Sequence, residues 1–121
     1  MFASPLTTLD PAPVSLELGL EELRAQLASP KPPLLAEILP PRYFEQGHLP
    51  GAINLPLEGF AAAATSALRE RDAAIVVYCA SETCQNSDMA ARKLQALGYS
   101  NVRVFRGGKA AWKAARLPLE T

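Results

Sequence analysis

The sequence is poor in cysteine and histidine, and neither sign of charge is in excess. The 121 residues include two cysteines and one histidine, and twelve basic side chains balance twelve acidic ones. Two cysteines are too few for a disulfide-built secreted domain, and the spacing of Cys79 and Cys84 does not fit a zinc site. A net charge of zero provides no electrostatic attraction to nucleic acid or to an anionic membrane.

Long apolar runs are also missing. No apolar stretch approaches the length of a membrane span, and the first residues lack the basic start and apolar centre of a signal peptide. We therefore expect a cytoplasmic protein with reduced thiols, and we expect neither nucleic acid nor a membrane among its partners.

The length of the chain is that of one domain. Residues 1–13 contain three prolines and few periodic apolar positions, so we predict an extended or disordered lead-in there. The remainder, residues 14–121, is predicted to form the domain.

Within that domain, the apolar pattern changes repeatedly between the period of a strand and that of a helix. The predicted strands are 14–18, 34–39, 52–55, 74–78 and 101–105, and the predicted helices are 20–28, 40–45, 57–68, 88–97 and 109–115. Strands that alternate with helices favour an α/β fold, with a mainly parallel sheet covered by helices on both faces.

One strand runs directly into a cysteine. The apolar residues 74–78 precede Cys79, a loop of small and polar residues follows, and a helix begins after the loop. Loop N–H groups and the positive end of a helix stabilise negative charge, so we expect Cys79 to lose its proton easily and to act as a nucleophile. The alternative is a buried structural cysteine, which is common in proteins.

Two other side chains of the loop qualify this prediction. Cys84 can be a loop-lining residue, a resolving thiol that attacks an oxidised or persulfidated Cys79, or an apolar residue at the start of the helix, and we favour a structural role. The carboxylate of Glu82 should oppose a bound anion and raise the pKa of a nearby thiol.

Several residues outside the loop have both a functional and a structural interpretation. His48 lies in a turn and is predicted to bond to nearby backbone rather than to form a Cys–His pair. Glu37 is predicted to be a hydrogen-bonded, partly buried carboxylate rather than a general base. Gly107 and Gly108 are predicted to allow close backbone packing beside the loop, and Trp112 is predicted to lie in the core.

Four segments together resemble rhodanese-like domains. They are Gly47-His48-Leu49-Pro50-Gly51-Ala52-Ile53-Asn54-Leu55-Pro56, Ile75-Val76-Val77-Tyr78-Cys79, Leu97-Gly98-Tyr99-Ser100-Asn101-Val102 and Arg106-Gly107-Gly108-Lys109-Ala110-Ala111-Trp112. They follow the order and spacing of that family, and the resemblance covers about residues 14 to 119. It implies a three-layer α/β fold around a mainly parallel sheet of about five strands.

The resemblance also implies a sulfurtransferase. The Cys79 thiolate would accept sulfane sulfur from thiosulfate, a persulfide or a polysulfide and pass it to a thiol or cyanide-like acceptor, or to a protein acceptor. No metal or organic cofactor is implied. The N–H groups that would hold the persulfide belong to Ala80, Ser81, Glu82, Thr83, Cys84 and Gln85.

The sequence departs from the family pattern at the site. Glu37-Ile38-Leu39 stands where family members usually have Asp-Val-Arg, and the arginines that many carry at the positions of Ala80 and Cys84 are missing. Those arginines help to bind thiosulfate, so any positive charge would come from outside the loop, with Arg106 and Lys109 as candidates.

These departures leave a second hypothesis open. A catalytically weak module could sense sulfur species or oxidants through Cys79 and Cys84, or bind a partner. Phosphatase or arsenate reductase activity would need an arginine that closes the loop, and residues 84–87 include none.

Overall fold

The structure is a computed structural model that describes residues 17–121. The predicted lead-in, residues 1–13, and the first three residues of the predicted strand 14–18 lie outside the described residues. The helices are α1 (Leu20–Leu27), α2 (Pro41–Glu45), α3 (Phe60–Ala67), α4 (Asn86–Ala96) and α5 (Gly108–Ala114). The strands are β1 (Leu34–Glu37), β2 (Ile53–Asn54), β3 (Ile75–Tyr78) and β4 (Val102–Phe105).

The four strands form one parallel sheet in the order β2-β1-β3-β4. Parallel neighbours require a crossover connection, and α2, α3 and α4 lie in the connections between consecutive strands. Next to β4, Glu17 forms a single parallel bridge with Val104, and the N–H of Leu18 donates to the same residue's carbonyl. The predicted mainly parallel sheet of about five strands is therefore present as four strands and this bridge.

Helices cover both faces of the sheet, as predicted. One core lies between the sheet and helices α3 and α4, and it includes Ala36, Val77, Val104, Phe60, Ala64 and Leu94. The other core lies on the side of α1 and α5, and it includes Leu35, Val76, Phe105, Leu23, Leu49 and Trp112. Successive strand residues alternate between the two cores because side chains of a strand point to opposite faces. The α/β three-layer fold is confirmed.

The register brings three strand ends to one edge of the sheet. Glu37 pairs with Tyr78, and Tyr78 pairs with Phe105, so β1, β3 and β4 all end at the same level. All four residues of β3 are buried, and the strand is bonded on both sides. Cys79 is the next residue, which places it at the centre of the edge where ligands bind in open parallel sheets.

The helices are all short: no helix among residues 17–121 has both the length and the apolar content that a membrane crossing needs.

Candidate functional site

The sulfur of Cys79 is enclosed by the loop that follows it. The residue is only 1% exposed. Its thiol donates to the carbonyl oxygen of Cys84, 3.4 Å from Sγ, and Sγ lies 3.6 Å from Oγ of Ser87. Cys79 therefore faces the end of the loop and the first turn of α4.

The surroundings of Cys79 favour the neutral thiol. Burial raises the pKa of Cys79 from its ordinary value of 9.0 to about 11, and the neighbouring Cys84 adds to the increase. Hydrogen bonds from the side chain and backbone of Ser87 lower the pKa but do not offset the effect of burial. The prediction that this cysteine loses its proton easily is wrong for the resting protein, because a buried sulfur loses the hydration that favours a thiolate.

The loop holds all the residues predicted to bind substrate. Its side chains range from half-buried to exposed: Ala80, Ser81, Glu82, Thr83, Cys84 and Gln85. Within residues 17–121, the only hydrogen bond donated by an N–H of positions 80–85 runs from Cys84 to the carbonyl of Ser81, at 3.0 Å. The hydroxyls of Ser81 and Thr83 bond to each other at 3.0 Å. The other loop N–H groups are therefore available to a ligand.

The start of α5 packs directly on the peptide groups that open the loop. The N–H of Lys109 donates to the carbonyl of Cys79 at 3.0 Å, and that of Ala110 donates to the carbonyl of Ala80 at 2.9 Å. Gly108 has φ of +61°, and a Cβ there would lie 2.3 Å from the carbonyl oxygen of Cys79. The predicted close backbone packing is confirmed, and it fixes the direction in which the chain leaves β3.

The first turn of α4 contributes two residues that sequence reasoning did not assign to the site. The helix begins at Asn86, two residues earlier than predicted, so Ser87 lies in the first turn and is buried beside Cys79. The side-chain amide of Asn86 donates to the carbonyl of Ile38 at 3.1 Å and joins the end of the loop to the end of β1. Asn and Ser are typical of helix starts, which was the available signal.

A buried polar cluster lies below the loop, on the side of α5. Glu37 is completely buried rather than partly buried, and it accepts a hydrogen bond from the hydroxyl of Tyr78 at 2.8 Å. That hydroxyl accepts the N–H of Leu49 at 3.1 Å, and burial raises the pKa of Tyr78. Nζ of Lys109 lies 2.9 Å from Oε2 of Glu37 and donates to the carbonyl of Tyr43 at 2.7 Å. The Lys109 contact with Oε2 is an ion pair without hydrogen-bond geometry.

The second candidate for positive charge is also bound to carboxylates. Arg106 makes two hydrogen bonds to Asp88, of 2.7 and 2.8 Å, and its Nε lies 2.6 Å from a carboxylate oxygen of Glu17. The hydrogen bonds to Asp88 and Glu17 raise the pKa of Arg106. Neither Arg106 nor Lys109 therefore offers an unpaired cation to the loop.

His48 has the structural role that was predicted. Its Nδ1 lies 2.9 Å from the carbonyl of Phe44, and the two rings are stacked with 3.7 Å between their centroids. The backbone of His48 also bonds to that of Glu120 in both directions. Trp112 is buried, as predicted, and its Nε1 donates to the carbonyl of Pro118.

Three depressions surround the loop. The loop-front groove, of about 560 Å³, is lined by Glu82, Thr83, Gln85, Asp88, Met89, Arg92 and Arg106. A second groove, of about 420 Å³, shares Glu82 and Arg106 with it. The α5 cleft, of about 290 Å³, lies beside Ala80 and includes Tyr43, Lys109 and Lys113. A further cavity contains Ala74 and Asn101 and therefore lies at the opposite edge of the sheet.

No group of three or more His, Cys, Asp or Glu side chains in the described part of the chain is arranged to hold a metal ion.

Several known proteins are similar to this chain. It is 33% identical over 103 residues to a sulfurtransferase from Allochromatium vinosum. The aligned residues cover 85% of this chain and 92% of the relative. The crystal structure of the Alr3790 protein from Anabaena sp. matches with a TM-score of 0.76 and 28% identity, covering 85% of this chain and 90% of that one. The crystal structure of a thiosulfate sulfurtransferase from Pseudomonas aeruginosa matches with a TM-score of 0.72 and 30% identity. The match covers 81% of this chain but only 18% of that one.

The family model described as the rhodanese-like domain matches residues 19–115, which include every helix and strand of the structure. The fold, the relatives and the matched segment agree, and this chain belongs to the rhodanese-like domain family.

Proposed function

We propose that this protein is a sulfurtransferase that carries sulfur as a persulfide on Cys79. The observation that carries the proposal is the position of Cys79, which follows the central strand and faces a loop with free N–H groups and the first turn of α4. A relative of nearly the same length is named a sulfurtransferase, which supports the same class of reaction. Small sulfur donors and thiol or cyanide-like acceptors would be its partners, with a protein acceptor as the alternative, in the cytoplasm.

The first step forms a bond between Sγ of Cys79 and the sulfane sulfur of the donor. The thiol first gives its proton to solvent, and the thiolate then attacks. The donor's bond to that sulfur breaks, and its electron pair leaves with sulfite or with a carrier thiolate. Because burial favours the neutral thiol, proton loss is a substantial part of the barrier at neutral pH.

The persulfide is the charged species that the loop would hold. A persulfide is more acidic than a thiol, so the product carries a negative charge on its outer sulfur. N–H groups of Ala80 to Gln85 and the first turn of α4 would stabilise that charge without a metal or organic cofactor. In the second step an acceptor thiolate or cyanide attacks the outer sulfur, and Cys79 leaves and regains a proton.

A thiol switch is the second candidate, and one contact favours it. The Cys79 thiol donates to the backbone carbonyl of Cys84, 3.4 Å away, and Cys84 raises the pKa of Cys79, so the two cysteines lie close together. A two-electron oxidant such as a peroxide would convert the pair to a disulfide with loss of two protons, and the peroxide would be reduced to water. A bridge of this kind would block sulfur uptake at Cys79.

Intact mass spectrometry of the reduced protein separates the two candidates. After incubation with a small persulfide, the wild-type protein and Cys84→Ala should gain the mass of one sulfur atom, whereas Cys79→Ala should gain none. The absence of any gain in the wild-type protein with thiosulfate and with persulfide donors would disprove the carrier. A loss of two hydrogen masses on mild oxidation, abolished by either substitution, would support the switch.

A further inference from the structure

The loop carries one charged side chain, and its charge is negative. Between Cys79 and Gln85, Glu82 is the only ionisable residue besides the two cysteines. Its side chain is exposed and lines both grooves that contain Arg106. A donor that approaches Cys79 through either groove therefore passes a carboxylate.

The arginines of the loop-front groove do not give it a positive charge. Arg106 is held by both oxygens of Asp88 and by Glu17. The charged residues that line the groove are two acids and two arginines: Glu82, Asp88, Arg92 and Arg106. Glu17 also pairs with Arg106, and with Glu17 included these five side chains have a net charge of −1. An anionic donor gains no net attraction from this group of charges.

The α5 cleft does not supply the missing cation to the loop. Lys109 is paired with the fully buried carboxylate of Glu37, and its side chain is 14% exposed. Lys113, one turn further along α5, is an exposed lysine whose charge is screened by solvent.

We propose that Glu82, together with the pairing of Arg106 and Lys109, makes this site select sulfur donors whose carrier group bears no negative charge. The expected donors are persulfides of neutral or cationic thiols, and thiosulfate, with two negative charges, is the least favoured. This inference rests on the proposed function and names the donor class for the same site.

The transfer step is the same for every donor of this class. The Cys79 thiol gives its proton to solvent and Sγ bonds to the outer sulfur of a carrier persulfide. The carrier's sulfur–sulfur bond breaks, and the carrier thiolate leaves with the electron pair. No external oxidant or reductant is needed, because sulfane sulfur passes from one thiol to another. The leaving thiols also differ in pKa, so the effect of carrier charge is measured as the change in the donor rate ratio between the wild-type protein and Glu82→Gln.

A series of donors of similar size tests the proposal. The persulfides of cysteamine, 2-mercaptoethanol and 2-mercaptoethanesulfonate carry a cationic, a neutral and an anionic group, and thiosulfate completes the series. The readout is the second-order rate at which Cys79 gains one sulfur, followed by intact mass. We expect the cationic donor to react about tenfold faster than the anionic one at low salt, and less than this at high salt.

Two substitutions identify the residue responsible. Glu82→Gln should reduce the cationic-to-anionic rate ratio to about threefold or less. Glu70→Gln is the matched control, because this exposed acid precedes β3 and lies at the opposite edge of the sheet, and it should leave the ratio unchanged.

Three results would overturn the inference. They are equal rates across the series, an unchanged ratio in Glu82→Gln, and a selective loss of anionic donors in Lys113→Gln, which would assign those donors to the α5 cleft. Loading by none of the four donors would instead reject the proposed function, and this inference with it.

Discussion

Glu37 and Lys109 form an ion pair, with 2.9 Å between Oε2 and Nζ, that connects the end of β1 to the start of α5. The same lysine donates its backbone N–H to the carbonyl of Cys79. One residue therefore takes part both in the buried charge cluster and in the backbone contacts that position the loop. The pairing also explains why Lys109 is not available to attract an anion.

Removal of the lysine charge should destabilise the protein strongly. Lys109→Met leaves the buried carboxylate of Glu37 without a counter-charge, and we expect the free energy of unfolding to fall by about 3 kcal/mol or more. Urea denaturation measures the change. Lys113→Met, on the exposed part of the same helix, is the control and should change stability by less than about 0.5 kcal/mol. Equal losses in the two variants would contradict the importance of the ion pair.

A side chain at position 108 should destabilise the protein. In Gly108→Ala the new Cβ would meet the carbonyl oxygen of Cys79 at 2.3 Å, at a φ of +61° that L residues rarely adopt. Gly59→Ala is a matched control, because its φ is +70° and nothing lies within 4 Å of its added Cβ. We expect about 1 kcal/mol of destabilisation from backbone strain in the control, and at least twice that in Gly108→Ala.

Thermal unfolding compares the two glycine variants, and sulfur uptake gives a second readout. A displaced Cys79–Ala80 peptide should slow uptake in Gly108→Ala alone. Equal shifts in melting temperature would show that the backbone at Cys79 moves aside easily.

The reactivity of Cys79 should depend steeply on pH. Because burial raises its pKa from 9.0 to about 11, the neutral thiol predominates at pH 7, and the reactive thiolate increases until about pH 11. The rate at which iodoacetamide alkylates Cys79 should increase about tenfold per pH unit from pH 7 to about 10. Mass spectrometry of the peptide that contains Cys79 measures this rate. A rate that levels off near pH 8 would show an ordinary or lowered pKa.

The raised pKa of Cys79 should also make the free energy of unfolding depend on pH. Between pH 9 and 11 the folded protein keeps a proton on Cys79 that the unfolded chain has lost, so the free energy of unfolding should decrease as the pH rises through this interval. In Cys79→Ser this part of the decrease should disappear.

Ser87 should promote sulfur uptake through its hydroxyl. Hydrogen bonds from Ser87 lower the pKa of Cys79, and Oγ lies 3.6 Å from Sγ. In Ser87→Ala we expect the pH profile of alkylation to move upward and sulfur loading at pH 8 to slow by about threefold. Ser66→Ala, on the exposed side of α3, serves as the control. A purely structural role for Ser87 would leave the pH profile in place.

The sequence was most informative where the pattern is local. Apolar runs bounded by proline and glycine predicted the strands, and their alternation with helices predicted a parallel sheet, because neighbouring parallel strands need such connections. The same reasoning placed Cys79 at the end of a strand and Gly108 against the loop. The predicted ends of the elements were less accurate. Because α4 begins two residues before the predicted start, the sequence did not indicate that Ser87 lies in its first turn beside the sulfur.

The properties of the site that depend on distant parts of the chain could not be predicted. The pKa of Cys79 depends on how completely the loop removes the sulfur from water, and the sequence pattern suggested the opposite direction. The partners of Glu37 and Arg106 come from other elements, so a list of charged residues could not show that Lys109 and Arg106 are already paired. Sequence reasoning predicted Cys79 as the nucleophile, and the structure identified the charges around it.

The site combines a central strand, β3, that is hydrogen-bonded on both sides, with a loop whose N–H groups mostly make no hydrogen bond within residues 17–121. Amide hydrogens of Val76 and Val77 lie in the fully buried central strand, so their exchange with solvent should require global unfolding. Most N–H groups of the loop donate to no atom within residues 17–121, so they should exchange far faster. The strand that precedes Cys79 should therefore stay protected while the loop amides exchange, and the two exchange rates compare the protection of the strand with that of the loop.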